Sequence, residues 1–258
     1  MNNQPIGIFD SGVGGLTVYN EIRKKLPNEN IIYLGDTKNF PYGSKTKEEI
    51  IEHSIENVKT LIQKNVKIIV IACGTATSQA IDILQEKFDI PIIGIIEPTV
   101  KYIKLQKIKE IGVIATEGTI KNGAWERILK QEIPNIKVIN QACPMLATIA
   151  EKGKAQSKEG KEKIKEYMKK FKGKRINNII LGCTHYPIYE EIIKQELGYE
   201  LELIDTGKTV SEYLKKYIKE NQIENCRKRE IEEVYLTKPE ESFKKIAKEI
   251  MKINIKIC

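Results

Sequence analysis

Short runs of β-branched residues alternate with longer amphipathic stretches along most of this chain, and the two periodicities predict its elements. Unbroken apolar runs stand at 6–9, 31–34, 68–71 and 92–95, and stretches with apolar residues three and four apart stand at 16–26, 47–63 and 75–88. The first pattern suits a strand buried on both faces and the second a helix with one apolar face. Strand, helix, strand in that order marks a parallel sheet, because parallel neighbours need a crossover. A second series follows, with strands predicted at 110–114, 137–139, 178–181 and 202–204 and helices at 120–131, 158–171 and 189–197. Beyond it come a helix at 210–218, a strand at 232–236 and a final helix from Pro239.

The repetition predicts an α/β fold of two similar parallel-sheet lobes, with the active site in the crevice between them. Glu97-Pro98-Thr99 is the expected first crossing, since proline biases the preceding residue away from the helical region. Asp205-Thr206-Gly207 is the expected return. The division is then 1–97 for the first lobe, 98–206 for the second, and 207–258 for a C-terminal segment returning to the first. No low-complexity linker or solenoid repeat interrupts it.

Composition narrows the setting. With 258 residues, 41% of them hydrophobic, the chain can supply a full core. The start Met1-Asn2-Asn3-Gln4-Pro5 lacks the basic and apolar regions of a signal peptide, and no apolar run approaches the roughly 18 to 20 residues of a membrane span. A cytoplasmic protein without a membrane partner is expected. Five cysteines, at 73, 143, 183, 226 and 258, are odd in number and widely scattered, which fits a reduced compartment. The net charge of +8 comes from lysines interspersed with glutamates, as in Lys161-Glu162-Lys163-Ile164-Lys165-Glu166, without an aromatic-basic reader motif. No nucleic-acid partner is expected.

Ligands of parallel α/β sheets bind beyond the carboxyl ends of the strands, so the strand exits carry the candidate chemistry. Gly7-Ile8-Phe9-Asp10-Ser11-Gly12-Val13-Gly14-Gly15-Leu16 reads as strand, glycine-rich turn, helix. It has neither the Lys-Ser/Thr of a phosphate loop nor the dinucleotide spacing, and leaves an anion-friendly helix start carrying Asp10 and Ser11. Pro41-Tyr42-Gly43 is, taken alone, more often only a turn. It follows the strand expected beside that of Asp10, so its amides and the Tyr42 hydroxyl are expected to reach the same crevice.

Cys73, in Ile71-Ala72-Cys73-Gly74-Thr75-Ala76, and Cys183, in Leu181-Gly182-Cys183-Thr184-His185-Tyr186-Pro187, each stand where a strand ends and a helix-like segment begins. A cysteine after an apolar run is most often a small buried hydrophobe, the reading kept for Cys143, Cys226 and Cys258. Cys73 and Cys183 differ because Thr75 and Thr184 follow them, and because Asp10 and His185 offer the polar partners a thiol needs to act as base or nucleophile near pH 7. His53, inside a predicted helix, reads as structural. Asp36, Glu97 and Glu151 are further carboxylates for which a solvated surface is the default. Neither cysteine belongs to a close-spaced ligand pair, so no metal is expected.

These segments resemble the glutamate racemases, cofactor-independent members of the aspartate/glutamate racemase group, over essentially the whole chain. The resemblance is carried by residues 7–17, Pro41-Tyr42-Gly43, Ala72-Cys73 with Thr75-Ala76, Gly112-Val113-Ile114-Ala115-Thr116 with Gly118-Thr119, and the run 181–187. The last is the most specific, since aspartate racemases usually have a carboxylate where this chain has His185. The resemblance implies cofactor-free inversion of glutamate at Cα by two thiols, supplying D-glutamate for peptidoglycan, by a protein that forms a homodimer. Cys73 and Cys183 match the two bases, Asp10 and His185 the residues assisting each, and Glu151 more weakly another assisting acid. Ser11, Pro41, Tyr42, Gly43, Gly74, Thr75, Thr116, Thr119 and Thr184, with Asp10 and His185, match positions that line the substrate.

One position departs from that pattern. The family normally has Cys-Asn-Thr at the first base, and this chain has Cys73-Gly74-Thr75. An asparagine restored there is expected either to regain a polar contact worth about 1 to 3 kcal/mol or to crowd Cys73. Three other readings stand beside the first: a racemase for another amino acid, most plausibly aspartate; a two-lobed binding protein with structural cysteines; and a thiol-redox enzyme, whose sulfurs must approach within bonding distance.

Overall fold

The structure is a computed structural model that describes residues 2–174, 176–198, 200–239 and 241–251. Four strands, β1 (Ile6–Asp10), β2 (Ile31–Gly35), β3 (Ile68–Ile71) and β4 (Ile92–Gly94), are linked by the helices α1 (Leu16–Lys25), α2 (Lys47–Gln63) and α3 (Gly74–Lys87). With β9 (Glu232–Leu236) they form a parallel sheet of order β4-β3-β1-β2-β9. A second parallel sheet, of order β6-β5-β7-β8, is built from β5 (Glu110–Ala115), β6 (Lys137–Ala142), β7 (Asn178–Leu181) and β8 (Glu202–Asp205). The fold is therefore α/β with two parallel-sheet lobes. The strands are nearly continuous apolar runs because both faces are covered, and Ile6, Ile8, Phe9, Ile68, Ile69 and Val70 are fully buried.

Several elements depart from the periodicity reading, each for a local reason. Glu97-Pro98-Thr99 lies on the connection between the two sheets, but as part of a helix, α4 (Ile96–Leu105), which links β4 to β5. Pro98 is tolerated because the amides of a first helical turn have no intrahelical partner to lose. The helix expected over 120–131 is two helices, α5 (Glu117–Asn122) and α6 (Ala124–Glu132), broken at Gly123, whose φ of +72° is left-handed. β6 runs on to Ala142 and is followed by α7 (Pro144–Glu151), which the sequence reading left out. After α8 (Lys158–Met168) and α9 (Glu190–Leu197), Asp205-Thr206-Gly207 is a helix start: the Asp205 carboxylate accepts the Gly207 amide at 2.7 Å and caps α10 (Thr206–Glu220). The last helix, α11, spans Glu241–Met251.

One apolar core runs through both lobes, joining Ile8, Leu16 and Tyr19 of the first to Ile111, Trp125 and Leu129 of the second through Val210 and Leu214 of α10. Fully burying each such side chain is worth about 1.5–3 kcal/mol. The sheets are thus held at a set separation, and the strand exits that face across the crevice inherit it. Cys143 is buried, Cys226 is exposed and so departs from the buried-hydrophobe reading, and Cys258 lies outside the described residues. The four described cysteines are free thiols. Among the described residues no helix is long and apolar enough to cross a membrane.

Candidate active site

The exits of β1, β3 and β7 meet across the lobes. Asp10, the last residue of β1, is fully buried; its carboxylate accepts the Gly12 amide at 3.0 Å and the Thr184 hydroxyl of the other lobe at 3.3 Å. The Thr17 hydroxyl of α1 donates to the Thr184 carbonyl at 2.9 Å. Above the glycine-rich turn sits the second lobe: a Cβ on Gly14 would lie 2.5 Å from the His185 ring. The glycines of this turn serve close approach of the lobes, and the Glu151 carboxylate of the second lobe takes the Val13 amide at 2.8 Å.

The two thiols sit in unlike surroundings. Cys183 follows β7 and lies 3.7 Å from Nδ1 of His185, whose Nε2 is 2.8 Å from the Glu151 carboxylate at the end of α7. Burial alone would lower the His185 pKa, but the hydrogen bonds and charges of Cys183 and Glu151 outweigh it and carry it well above its ordinary value. Cys183 therefore faces an imidazolium, the neighbour that favours a thiolate. Cys73, the residue capping α3, receives the Ala76 amide at 3.5 Å and lies 3.8 Å from the Ser11 hydroxyl. Burial and then the charge of Asp10 push its thiol up to about 12, so it keeps its proton at neutral pH. Cys183 thus has a cationic neighbour, while Cys73 has a buried carboxyl close by and keeps its proton.

Burial also raises the Asp10 carboxyl to about 6, against the opposing pull of His185 and the Gly12 amide. A carboxyl raised on folding penalises the folded state above its folded pKa and not below its unfolded one, so this cost is absent near pH 3.5 and complete above about pH 6. At neutral pH it amounts to about 3 kcal/mol. Asp10→Asn is thus expected to melt a few degrees above the parent at pH 7.5, part of the gain being lost with weaker hydrogen bonds, and to show no such gain at pH 3.5. Thermal melts at the two pH values check this; an equal difference at both would remove the explanation.

Both thiols open on one cavity of about 260 Å³, also lined by Ser11, Pro41, Tyr42, Gly43, Gly74, Thr75, Thr116, Thr184 and His185. That volume lies just below the ~300–1,000 Å³ of drug-sized sites and suits a small metabolite. Asp10, Thr119 and Glu151 stand behind this lining. Thr119 closes a hydroxyl triangle across the lobes, with Thr75 to Thr116 and Thr116 to Thr119 at 2.9 Å and Thr119 to Thr75 at 3.3 Å. The Tyr42 hydroxyl does not reach the crevice as expected. It donates to Asp36 at 2.5 Å and accepts from Asn57 at 3.0 Å, so the hydroxyl braces the loop whose residues Pro41, Tyr42 and Gly43 line the cavity. Asp36 is correspondingly buried rather than solvated, and Glu151 is 13% exposed at its side chain; Glu97 is exposed and paired with Lys101.

Met145, Ala147 and Thr148 of α7 line the same cavity and were not identified from the sequence. The available signal was Cys143-Pro144 after β6, a proline at a helix start beyond a strand. Among the described residues, no three His, Cys, Asp or Glu side chains group so as to hold a metal ion. A larger groove, about 1,020 Å³, lies along α4, α9 and α10, but lysines and glutamates line it and neither thiol does.

Residues 6–214 match the family model described as Asp/Glu/hydantoin racemase. The chain is 43% identical over 208 residues to a protein named glutamate racemase from Lactococcus lactis subsp. cremoris, covering 80% of this chain and 76% of that one. Among solved structures, a glutamate racemase isoform of Bacillus anthracis superposes with a TM-score of 0.95 at 35% identity, covering 100% of this chain and 97% of that one. A glutamate racemase from Francisella tularensis, solved in complex with D-glutamate, superposes at 0.93 and 35%, again over 100% and 97%.

Proposed function

This chain belongs to the Asp/Glu/hydantoin racemase family, and we propose that within it the chain interconverts L- and D-glutamate by proton transfer between two thiols, with Cys183 and Cys73 on opposite faces of Cα. The observation that carries this reading is the pair of unlike sulfurs on one small cavity, one beside an imidazolium and one kept protonated by burial. The names of the relatives supply glutamate as the substrate.

In one direction the Cys183 thiolate takes the Cα proton; the C–H bond breaks, an S–H bond forms, and the electron pair spreads into the α-carboxylate. The Cys73 thiol then delivers its proton to the opposite face, leaving a thiolate at Cys73 and inverted configuration at Cα. The reverse proton arrangement serves the other enantiomer. Glu151 holds His185 protonated beside Cys183. Asp10, whose pKa of about 6 lets it take up a proton near neutrality, accompanies the charge change at Cys73. Thr75, Thr116 and Thr184 hydroxyls and the first amides of α3 face the substrate carboxylates and the charge that develops there. The same reading makes the protein a cytoplasmic homodimer supplying D-glutamate for peptidoglycan, with dimerisation open to sedimentation analysis.

The test is incubation of each pure glutamate enantiomer with the protein in D₂O, without added cofactor, followed by polarimetry and proton NMR. Loss of optical rotation with deuterium at Cα is expected. A binding protein would produce neither, a redox enzyme would leave Cα untouched, and faster turnover of aspartate would reassign the substrate.

A further inference from the structure

We infer that Gly74 is a positioning residue for the second base: its lack of a side chain lets the carbonyl oxygen of Gly182, the residue before Cys183, rest against the first turn of α3, one residue after Cys73. A Cβ at position 74 would lie 2.3 Å from that oxygen and 3.5 Å from Cδ1 of Ile95. The first distance is far inside van der Waals contact, and the atom is backbone, so no rotamer change relieves it. Gly182 itself has little room to retreat. The Gly182 amide donates to the Ile114 carbonyl at 2.8 Å, and a Cβ on Gly182 would already lie 2.9 Å from that oxygen and 3.0 Å from Nε1 of Trp125. The peptide carrying Cys183 is thus held between α3 on one side and β5 with the Trp125 indole on the other.

Any side chain at 74 must part the lobes or turn this peptide, and either movement shifts the Cys183 sulfur relative to Cys73 and to His185. Proton transfer is steeply sensitive to such placement. Gly74 has this role in turnover only if the two-thiol reading above holds. The departure from the family's asparagine is therefore not a contact waiting to be restored: in this chain the space for that side chain is filled by the Gly182 carbonyl, and the site is built for glycine.

Trp125 supplies a readout independent of turnover, because it is the single tryptophan of the chain, is buried, and packs behind Gly182. The experiment compares the full-length parent with Gly74→Ala and Gly74→Asn, measuring kcat and KM from both enantiomers, thermal melting, and tryptophan emission of the folded proteins. Both variants are expected to lose at least about tenfold in kcat, with KM changed far less and the emission displaced, the asparagine variant more than the alanine. Turnover by Gly74→Asn at or above the parent overturns the inference, as does a loss confined to KM with unchanged emission. If Gly74→Ala does not fold, Gly74→Ala/Trp125→Phe decides, since it opens room behind Gly182: recovered folding supports the inference and none overturns it. A parent without racemase activity would sink the two-thiol reading instead, while the emission of the variants would still report whether the 182–183 peptide is held by Gly74.

Discussion

Cys73→Ala and Cys183→Ala are each expected to leave a folded protein whose racemisation falls by at least about 10⁴-fold, the upper end of what a positioned acid–base group supplies. The other titratable groups at the cavity are engaged elsewhere: His185 is beside Cys183, Glu117 is exposed and paired with Lys121, Asp10 and Glu151 stand behind the lining, and the nearby hydroxyls are far weaker acids and bases. Folding survives because alanine is smaller than cysteine, apolar and accepted in buried positions. The two variants should differ in hydrogen exchange. With Cys183 and its imidazolium partner retained, Cys73→Ala should still carry solvent deuterium into Cα of one enantiomer without inverting it. Cys183→Ala keeps only a thiol raised to about 12 and should exchange more slowly. Proton NMR on single enantiomers measures both; full racemisation by either soluble variant would end the two-thiol assignment.

His185→Asn is expected to lower kcat/KM by about 10²- to 10⁴-fold. Asparagine keeps polar atoms near Cys183 but cannot carry the positive charge that the buried imidazole holds between Cys183 and Glu151. The cationic neighbour that favours a thiolate is then gone. Enantiomers have equal free energies, so kcat/KM must fall by the same factor in both directions. The asymmetry belongs in the isotope effect. Substrate deuterated at Cα should show a larger primary effect in the direction where Cys183 removes the proton, because that step alone becomes slower. Equal isotope effects in both directions, unchanged from the parent, would detach His185 from Cys183. Glu151→Gln should reproduce a milder form of the same pattern, since the glutamine can still accept from Nε2 but no longer stabilises its charge.

Much of the site was legible because it is local. A β-branched run followed by a cysteine and a threonine places that cysteine at a strand exit wherever the strand goes, and residues 68–75 and 178–184 fold as that rule requires. The glycine-rich turn after β1 is equally short-range. Helix α7 was missed for the complementary reason. It has no charged residue before Glu151, so no polar face marks a helical period, and it packs against Tyr186 and Tyr189, whose hydroxyls reach the Cys143 and Leu146 carbonyls at 2.9 and 2.8 Å. Pro98 misled because its effect depends on where in a helix it falls, and it falls in the first turn of α4.

By itself, then, the amino-acid sequence determined which residues stand at the strand exits and that two of them are thiols, since alternation of apolar and polar positions is a property of adjacent residues. Only the tertiary structure decided how the exits meet: that Thr184 donates to Asp10, that Glu151 reaches both His185 and Val13, that the Tyr42 hydroxyl turns toward Asp36, and that Gly182 lies on Gly74. Each of these joins residues remote in sequence. Their spacing is set by the shared core of Trp125, Leu214 and Ile8, which holds the two sheets at one separation and so brings two ordinary strand-exit cysteines onto one cavity.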